Sequence, residues 1–579
     1  MADMKQRHLP LAITLFRIKP NRWDIIAAVL FVGLLAALAV GSHEAFQPLA
    51  AITARPLSLD PFCLPFYALR TMLRMALALA LSLLFTMTYA TLAAKSKRAE
   101  MLLIPLLDIL QSVPILGFLS VTVVFFLSLT PAHAFGAECA AIFVIFTSQA
   151  WNMTFSFYQS LRTVPEELIE ASRNFHFSPW MRFWRLEFPF AMPQLVWNMV
   201  VSVAGGWFFV VASESISVGD IRFALPGIGS YIALAIQKKD FLAIGWAIAA
   251  MIVVLMITDQ LFFRPLLVWS ERFLPERDPN RPQPRSWVLT MLRRSWLAAI
   301  MGQALQRIWQ AADRFLTAEP QTTIKKVSSS RKIFLDRIWV LFLFFLTGMA
   351  LWSISSFVIR HLSFQEIKIV LTLGLFTMLR VFAMLALASA IWVPIGVFVG
   401  MRPKLATNIQ PFVQFLSAFP ANLLFPMVVS AIVAFKLNPE IWLTPLLILG
   451  AQWYILFNVI AGASAIPLEL KDASRNLRLH GWLWWRTLSL PAIFPFYITG
   501  AITAAGGAWN ASIVAEVVSW GNTSLAAHGL GAYIVKASHA GDFNHLILGI
   551  ATMSFFVVLI NRTLWRPLFA YASRRFQLS

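Results

Sequence analysis

Two stretches of this 579-residue chain carry matching charged residues at helical spacing. The first sets Glu166, Glu167, Glu170 and Arg173 around Leu168, Ala171, Ser172 and Phe175. The second holds Glu469, Asp472, Ala473, Ser474 and Arg475 in register with it. Thr163, Pro165 and Glu166 supply a helix start for the first: a capping hydroxyl, a first-turn proline and a glutamate three residues on. A short helix with a small apolar face and flanking charge suits docking into a groove of a soluble partner. Lying passively on the bilayer suits it less, because acidic side chains are repelled by an anionic leaflet. A different chemistry is offered by Arg74 and Arg380, each about two turns inside an apolar run. An ionisable group within a membrane span is a functional hypothesis by default. Facing a path, the two would form a positive constriction for an anion; otherwise they would snorkel to the outer interface, ~10 Å away. Gln111, Ser112, Gln149, Asn152, Gln414, Ser417, Gln452 and Asn510 offer neutral hydrogen bonds, to a solute or between helices.

Other chemistries are missing. No glycine is followed by lysine, so the chain lacks the phosphate-cradling P-loop signature. Its two cysteines, Cys63 and Cys139, belong to no CxxC or Cys/His cluster, which argues against a structural metal. Both fall on the outer face in the topology below, where two unpaired thiols are expected.

The elements that must position these residues are membrane spans. Hydrophobic residues make up 59% of the chain and charged residues 13%, far from the balance of a soluble domain. The net charge of +20 would suggest nucleic acid in a soluble protein. Here it reflects basic cytoplasmic loops, and no nucleic-acid partner is expected. Apolar runs lie near 25–42, 67–93, 101–129, 137–159, 190–213, 241–263, 334–358, 367–400, 406–435, 438–461, 492–516 and 544–563. They predict an all-α polytopic membrane protein of about twelve spans. Pro105, Pro114, Pro411 and Pro420 mark breaks that neighbouring helices or water must satisfy. Lys or Arg crowd the N-terminus, the loops after the second and fourth runs, and the segment 264–333, which has thirteen; Arg55 is alone in 43–66. Both termini are therefore expected in the cytoplasm. Ala37-Leu38-Ala39 resembles a signal-peptidase site, but the long basic region before it favours an uncleaved first span.

Shifted by 302 positions, the chain matches itself. Between Pro165/Pro467 and Pro193/Pro495 there are eleven identities in 29 ungapped columns. The register continues through Gly205/Gly507, Trp207/Trp509, Glu214/Glu516, Gly227/Gly529, Gly229/Gly531 and Tyr231/Tyr533. Upstream the shift is 306, pairing Thr71-Met72-Leu73-Arg74 with Thr377-Met378-Leu379-Arg380. Two parallel six-span halves follow, 1–263 (core about 67–263) and 334–579, with a path between them. Residues 264–333 join the halves. A stripe of Leu297, Met301, Leu305, Ile308, Ala312 and Phe315 there predicts an amphipathic helix on the lipids of the cytoplasmic leaflet.

The loops at about 163–193 and 465–495 resemble the EAA loop of binding-protein-dependent ABC importers. The resemblance rests on Glu170-Ala171-Ser172 and Asp472-Ala473-Ser474, each followed by the paired prolines. It covers nearly the whole chain, as two type-I permease domains fused head to tail. The Ala-Ser-Arg-Asn extension, Gly227-Ile228-Gly229-Ser230-Tyr231-Ile232 and the Thr-x-Leu-Arg openings are similar to the nitrate/sulfonate/bicarbonate/taurine branch. The resemblance implies a permease without catalytic, cofactor or metal residues of its own. Its two coupling helices would engage two ATPase sites, ATP and Mg²⁺ would be bound by that partner, and an external binding protein would deliver the solute. A bacterial inner membrane is the implied location. His176 and Arg478 stand where the family's loop has glycine, which puts the turn after each helix in question. The competing reading, a twelve-span secondary transporter, leaves the twin docking loops unexplained.

Overall fold

The computed structural model describes residues 57–130, 134–218, 221–273, 286–296, 299–304, 329–361 and 363–575, with isolated residues at 23–26, 28–29, 32–33, 306–307 and 310. Ala37–Ala39, most of the first apolar run and most of the linker stripe lie outside the described residues.

Asp60 accepts the Phe62 N–H at 3.0 Å and starts the turn leading into α1 (Leu64–Lys95). Extended Ser96 ends α1 and caps α2 (Lys97–Ser112). The run expected at 101–129 is not one span: it stops at Val113-Pro114, turns, and resumes as α3 (Leu119–Leu129). Proline disfavours helix in the residue before it, which places the break. Next come α4 (Phe135–Arg162), the short α5 (Glu166–Asn174) and the long α6 (Pro179–Glu214). An antiparallel hairpin, β1 (Ser215–Val218) and β2 (Ile221–Ala224), pairs Ser215 with Ala224. The first half closes with α7 (Ile228–Lys238) and α8 (Phe241–Phe273). Then α9 (Trp287–Arg294) and α10 (Ser329–His361) lead into the second half.

There the order recurs: α11 (Phe364–Gly400), α12 (Pro403–Ala418), α13 (Ala421–Ala434), α14 (Pro439–Leu447), α15 (Gln452–Ser464), α16 (Leu468–Asn476) and α17 (Gly481–Ala515). The hairpin β3 (Val517–Trp520) and β4 (Thr523–Ala526) pairs Val517 with Ala526, and α18 (Leu530–Ala540) and α19 (Phe543–Ala572) end the half.

Among the described residues six helices are long and apolar enough to cross a membrane, or up to eight if each bent pair is one crossing. The bent pairs are α12 with α13 (77°) and α14 with α15 (44°). Of the twelve expected runs, the one at 25–42 lies mostly outside the described residues. Prolines Pro114 and Pro420 break two runs, and Glu138, Gln149 and Asn152 dilute the apolar character of α4.

The chain divides into two compact units, 1–43 with 159–197 and 256–326, and 44–158 with 198–255 and 327–579. These cut across the repeat. In the second unit, α11, α12 and α15 pack around Val399, Val413, Leu456 and Ile460, and α15 also lies closely against α17. A Cβ on Gly400 would lie 2.6 Å from the Ile460 carbonyl, and one on Gly500 2.8 Å from that of Tyr454. Small residues bring membrane helices together in this way, where hydrophobic burial gives little drive.

Candidate translocation site and docking helices

Arg74 is the hub of a buried cluster in the first half. It projects from α1 and is 2% exposed. Its Nε and Nη2 donate to Glu138 of α4 at 2.6 and 2.7 Å. Its Nη1 donates to Glu214, at the end of α6, at 2.8 Å and to the Pro226 carbonyl at 2.9 Å. Arg70 adds a 2.6 Å bond to Glu138. Glu214 also accepts the Thr71 hydroxyl at 2.7 Å and the Gly229 N–H at 2.6 Å, while the Ile228 N–H donates to Thr71 Oγ1 at 3.1 Å. The cluster ties the N-terminal end of α7 to α1, α4 and α6. A Cβ at Gly227 would sit 2.3 Å from the Glu214 carboxylate, so this close approach requires glycine.

The second half repeats the cluster more loosely. Arg380 donates to Glu516 at 3.4 Å, to the His528 carbonyl at 2.8 Å, and to Glu440. Thr377 donates to Glu516 at 2.8 Å, and the Leu530 N–H donates to Thr377 at 2.8 Å. His528 replaces Pro226; its N–H donates to Glu440, whose side chain is 35% exposed. A Cβ on Gly529 would meet Glu516 at 2.2 Å.

Beside these clusters, wholly within the second unit, lies a cavity of about 310 Å³. Its walls come from both halves in repeat-related pairs, such as Leu119 with Phe425, Val211 with Ile513, and Ile232 with Ile534. The Ser120 and Ser538 hydroxyls bond across the halves, and Asn422 donates to the Phe208 carbonyl at 3.3 Å. Neither Arg74 nor Arg380 is among the lining residues. The expectation of a bare positive constriction thus meets two arginines occupied by carboxylates. Snorkelling does not describe Arg74 either, since it is buried.

The two charged stretches are helical. In α5, Glu166, Glu167, Glu170 and Arg173 are exposed, Ala171 is half-buried and Ser172 is buried, its hydroxyl donating to the Ile169 carbonyl at 2.6 Å. In α16, Glu469, Asp472, Ala473 and Arg475 are exposed, and buried Ser474 bonds the Lys471 carbonyl at 2.8 Å. Burial and the charge of Arg475 hold the Lys471 ammonium below the usual lysine range. His176 and Arg478 adopt the left-handed conformation, with φ of 53° and 49°. The Phe177 N–H reaches the Ser172 carbonyl and the Leu479 N–H that of Ser474, both at 3.0 Å. These are Schellman closures, so the turn is kept without glycine at a local backbone cost.

A family model described as the binding-protein-dependent transport system inner membrane component matches the chain twice, over residues 82–264 and 392–564. The chain belongs to this family. Among similar proteins, the bicarbonate transport system permease protein CmpB of Synechococcus elongatus is 29% identical over 177 residues, covering 31% of this chain and 60% of that protein. The nitrate import permease protein NrtB of Leptolyngbya laminosa is 25% identical over 175 residues, 30% of this chain and 59% of its own length. The glycine betaine/carnitine transport permease protein GbuB of Listeria monocytogenes is 27% identical over 172 residues, 29% and 54% respectively. The chain thus spans about 60% of the length of the first of these relatives.

In this duplicated inner membrane component, several residues of the clusters and the cavity escape sequence reasoning. Glu138 and Glu440 are missed, although they obey the same shift of 302 as Glu214 and Glu516. The cavity residues Ser120, Asn422 and Ser538 carry no motif. Of the neutral polar residues singled out, Asn152 bonds Ser202 at 3.0 Å, Gln452 accepts from Trp392 at 2.9 Å, and Asn510 accepts the Ile115 N–H at 2.8 Å. The first two join helices to one another, and Asn510 holds the turn between α2 and α3. Cys63 and Cys139 are free thiols.

Proposed function

We propose that this chain is the permease of an ATP-driven importer and forms the path for a small anion of the nitrate, sulfonate, bicarbonate or taurine kind. One observation carries the reading: the cavity walled by repeat-related residues of both halves. A path on the pseudo-axis of two parallel repeats is where such transporters place their solute. Similarity to bicarbonate and nitrate permeases supports the anion. The solute arrives from an external binding protein. ATP and Mg²⁺ are held by two ATPase subunits, one on α5 and one on α16. The N- and C-termini face the cytoplasm of a bacterium, and halves 1–263 and 334–579 are joined by a lipid-facing linker. Arg74 and Arg380 act as positioning residues that fix α7 and α18, which contribute to the cavity wall.

Reconstitution with an ATPase and a binding protein in vesicles tests this. Val535→Phe, which fills the cavity, is expected to abolish ATP-driven uptake while the ATPase stays bound. Undiminished uptake would remove the cavity from the path.

A further inference from the structure

We infer that the cavity between the halves takes an organic anion held chiefly by its apolar body. The inference rests on the cavity being the translocation site.

Charge is what the cavity lacks. Among the described residues no Lys, Arg, Asp or Glu lines it, and His539 is the titratable side chain on its wall. The nearby cations are committed, Arg74 to Glu138 and Glu214, Arg380 to Glu440 and Glu516. The adjoining helix N-termini are committed too. Backbone N–H groups at the start of α7 and α18 would ordinarily attract an anion. Here the Gly229 N–H donates to Glu214 at 2.6 Å and the Ala532 N–H to Glu516 at 3.1 Å. A bare inorganic anion would exchange its hydration shell for a few neutral hydroxyls, with no apolar body to offset that cost.

Size points the same way. The cavity, about 310 Å³, holds roughly ten water volumes at ~30 Å³ each. Nitrate or bicarbonate fills about two of these. The remainder would be water against Leu116, Val211, Phe425, Val429, Ile513 and Ile534. An aromatic or branched body covers those side chains and displaces that water, the favourable direction for apolar surface. A monovalent oxyanion head, its charge spread over several oxygens, needs only neutral donors. The Ser120 and Ser538 hydroxyls, paired across the halves, and Ser519 provide them.

The test uses the full chain in lipid nanodiscs, titrated calorimetrically with sodium benzenesulfonate, sodium nitrate and sodium bicarbonate. Benzenesulfonate is expected to bind at least tenfold more tightly than either inorganic anion. Ala233→Phe, which narrows the cavity, should weaken benzenesulfonate at least tenfold, and Ser120→Ala about threefold, with thermal unfolding unchanged. Nitrate or bicarbonate binding as tightly as benzenesulfonate would overturn the inference, as would no binding of benzenesulfonate or binding indifferent to Ala233→Phe. ATP-driven uptake of nitrate by a chain that ignores benzenesulfonate would sink this inference and leave the importer reading standing.

Discussion

Arg74→Gln and Arg380→Gln remove repeat-related charges, yet their costs should differ sharply. Arg74 makes two bonds to Glu138, one to Glu214 and one to a backbone carbonyl, at 2.6–2.9 Å and 2% exposure. Breaking a buried ion pair from one side typically costs about 3–5 kcal/mol, because the other charge stays buried. Glu138 retains Arg70, and Glu214 retains Thr71 and the Gly229 N–H, which places the loss near ~3 kcal/mol. Arg380 instead reaches Glu516 at 3.4 Å, and its other carboxylate partner, Glu440, is 35% exposed. Water can replace much of that contact, and solvent-facing pairs are worth about 0–1 kcal/mol. Adding the bond to the His528 carbonyl gives ~1–2 kcal/mol. The assay is denaturant unfolding of the purified full chain in detergent, followed by tryptophan emission. Because the two arginines share no partner, the double variant should lose the sum. Equal losses would refute the reasoning. So would wild-type stability in Arg74→Gln together with lost transport, a result that returns the charge to the path.

On the docking helices, Glu170→Arg should weaken ATPase co-purification and uncouple transport, since like charges brought together at an interface cost several kcal/mol. Asp472→Arg should act in the same sense but less, because α16 already carries Lys471 and Arg475; unchanged ATPase yield in both variants would count against docking. Native mass spectrometry of the complex should find one copy of this chain with two ATPase subunits, and two copies of the chain would contradict the duplicated path. His176→Gly should stabilise the chain by about 1 kcal/mol by relieving a left-handed histidine, read from the same unfolding experiment. Gly227→Ala should destabilise it, since its methyl would press on the Glu214 carboxylate at 2.3 Å.

What was legible before the structure follows from where the signal is local. The two short charged helices declared themselves because proline, acid and small residues recur there at fixed spacing, and α5 and α16 each begin directly after the proline. Duplication was legible for the same reason, with identities in register. The breaks inside the runs were less legible. Prolines Pro114 and Pro420 turn apparent runs into bent or broken pairs, and apolar content alone cannot tell a straight helix from two short ones. The partners of Arg74 and Arg380 were also hidden. Glu138 lies 64 residues from Arg74 and Glu214 140 away, and no periodic pattern connects such distances. The left-handed turns were half legible. A glycine position filled by His176 and Arg478 suggested a changed turn, whereas the backbone keeps the turn and accepts the strain.

The two halves repeat one pattern, and they differ in how tightly each arginine is tied. In the first, Pro226 offers only a carbonyl, so Arg74 is sealed by two carboxylates and a second arginine supports one of them. In the second, His528 occupies that place and takes part of Glu440's bonding capacity, which leaves Arg380 with a longer contact to Glu516. A tightly tied α7 and a loosely tied α18 flank the same cavity. If the cavity must open, the weaker cluster offers the lower barrier, so motion should begin at α18. Hydrogen exchange on the full chain should therefore show faster amide exchange across Leu530–Ala540 than across Ile228–Lys238. Arg74→Gln should erase that difference by loosening α7. Equal protection of the two helices in the wild-type chain would show that the looser ion pairs do not govern their mobility.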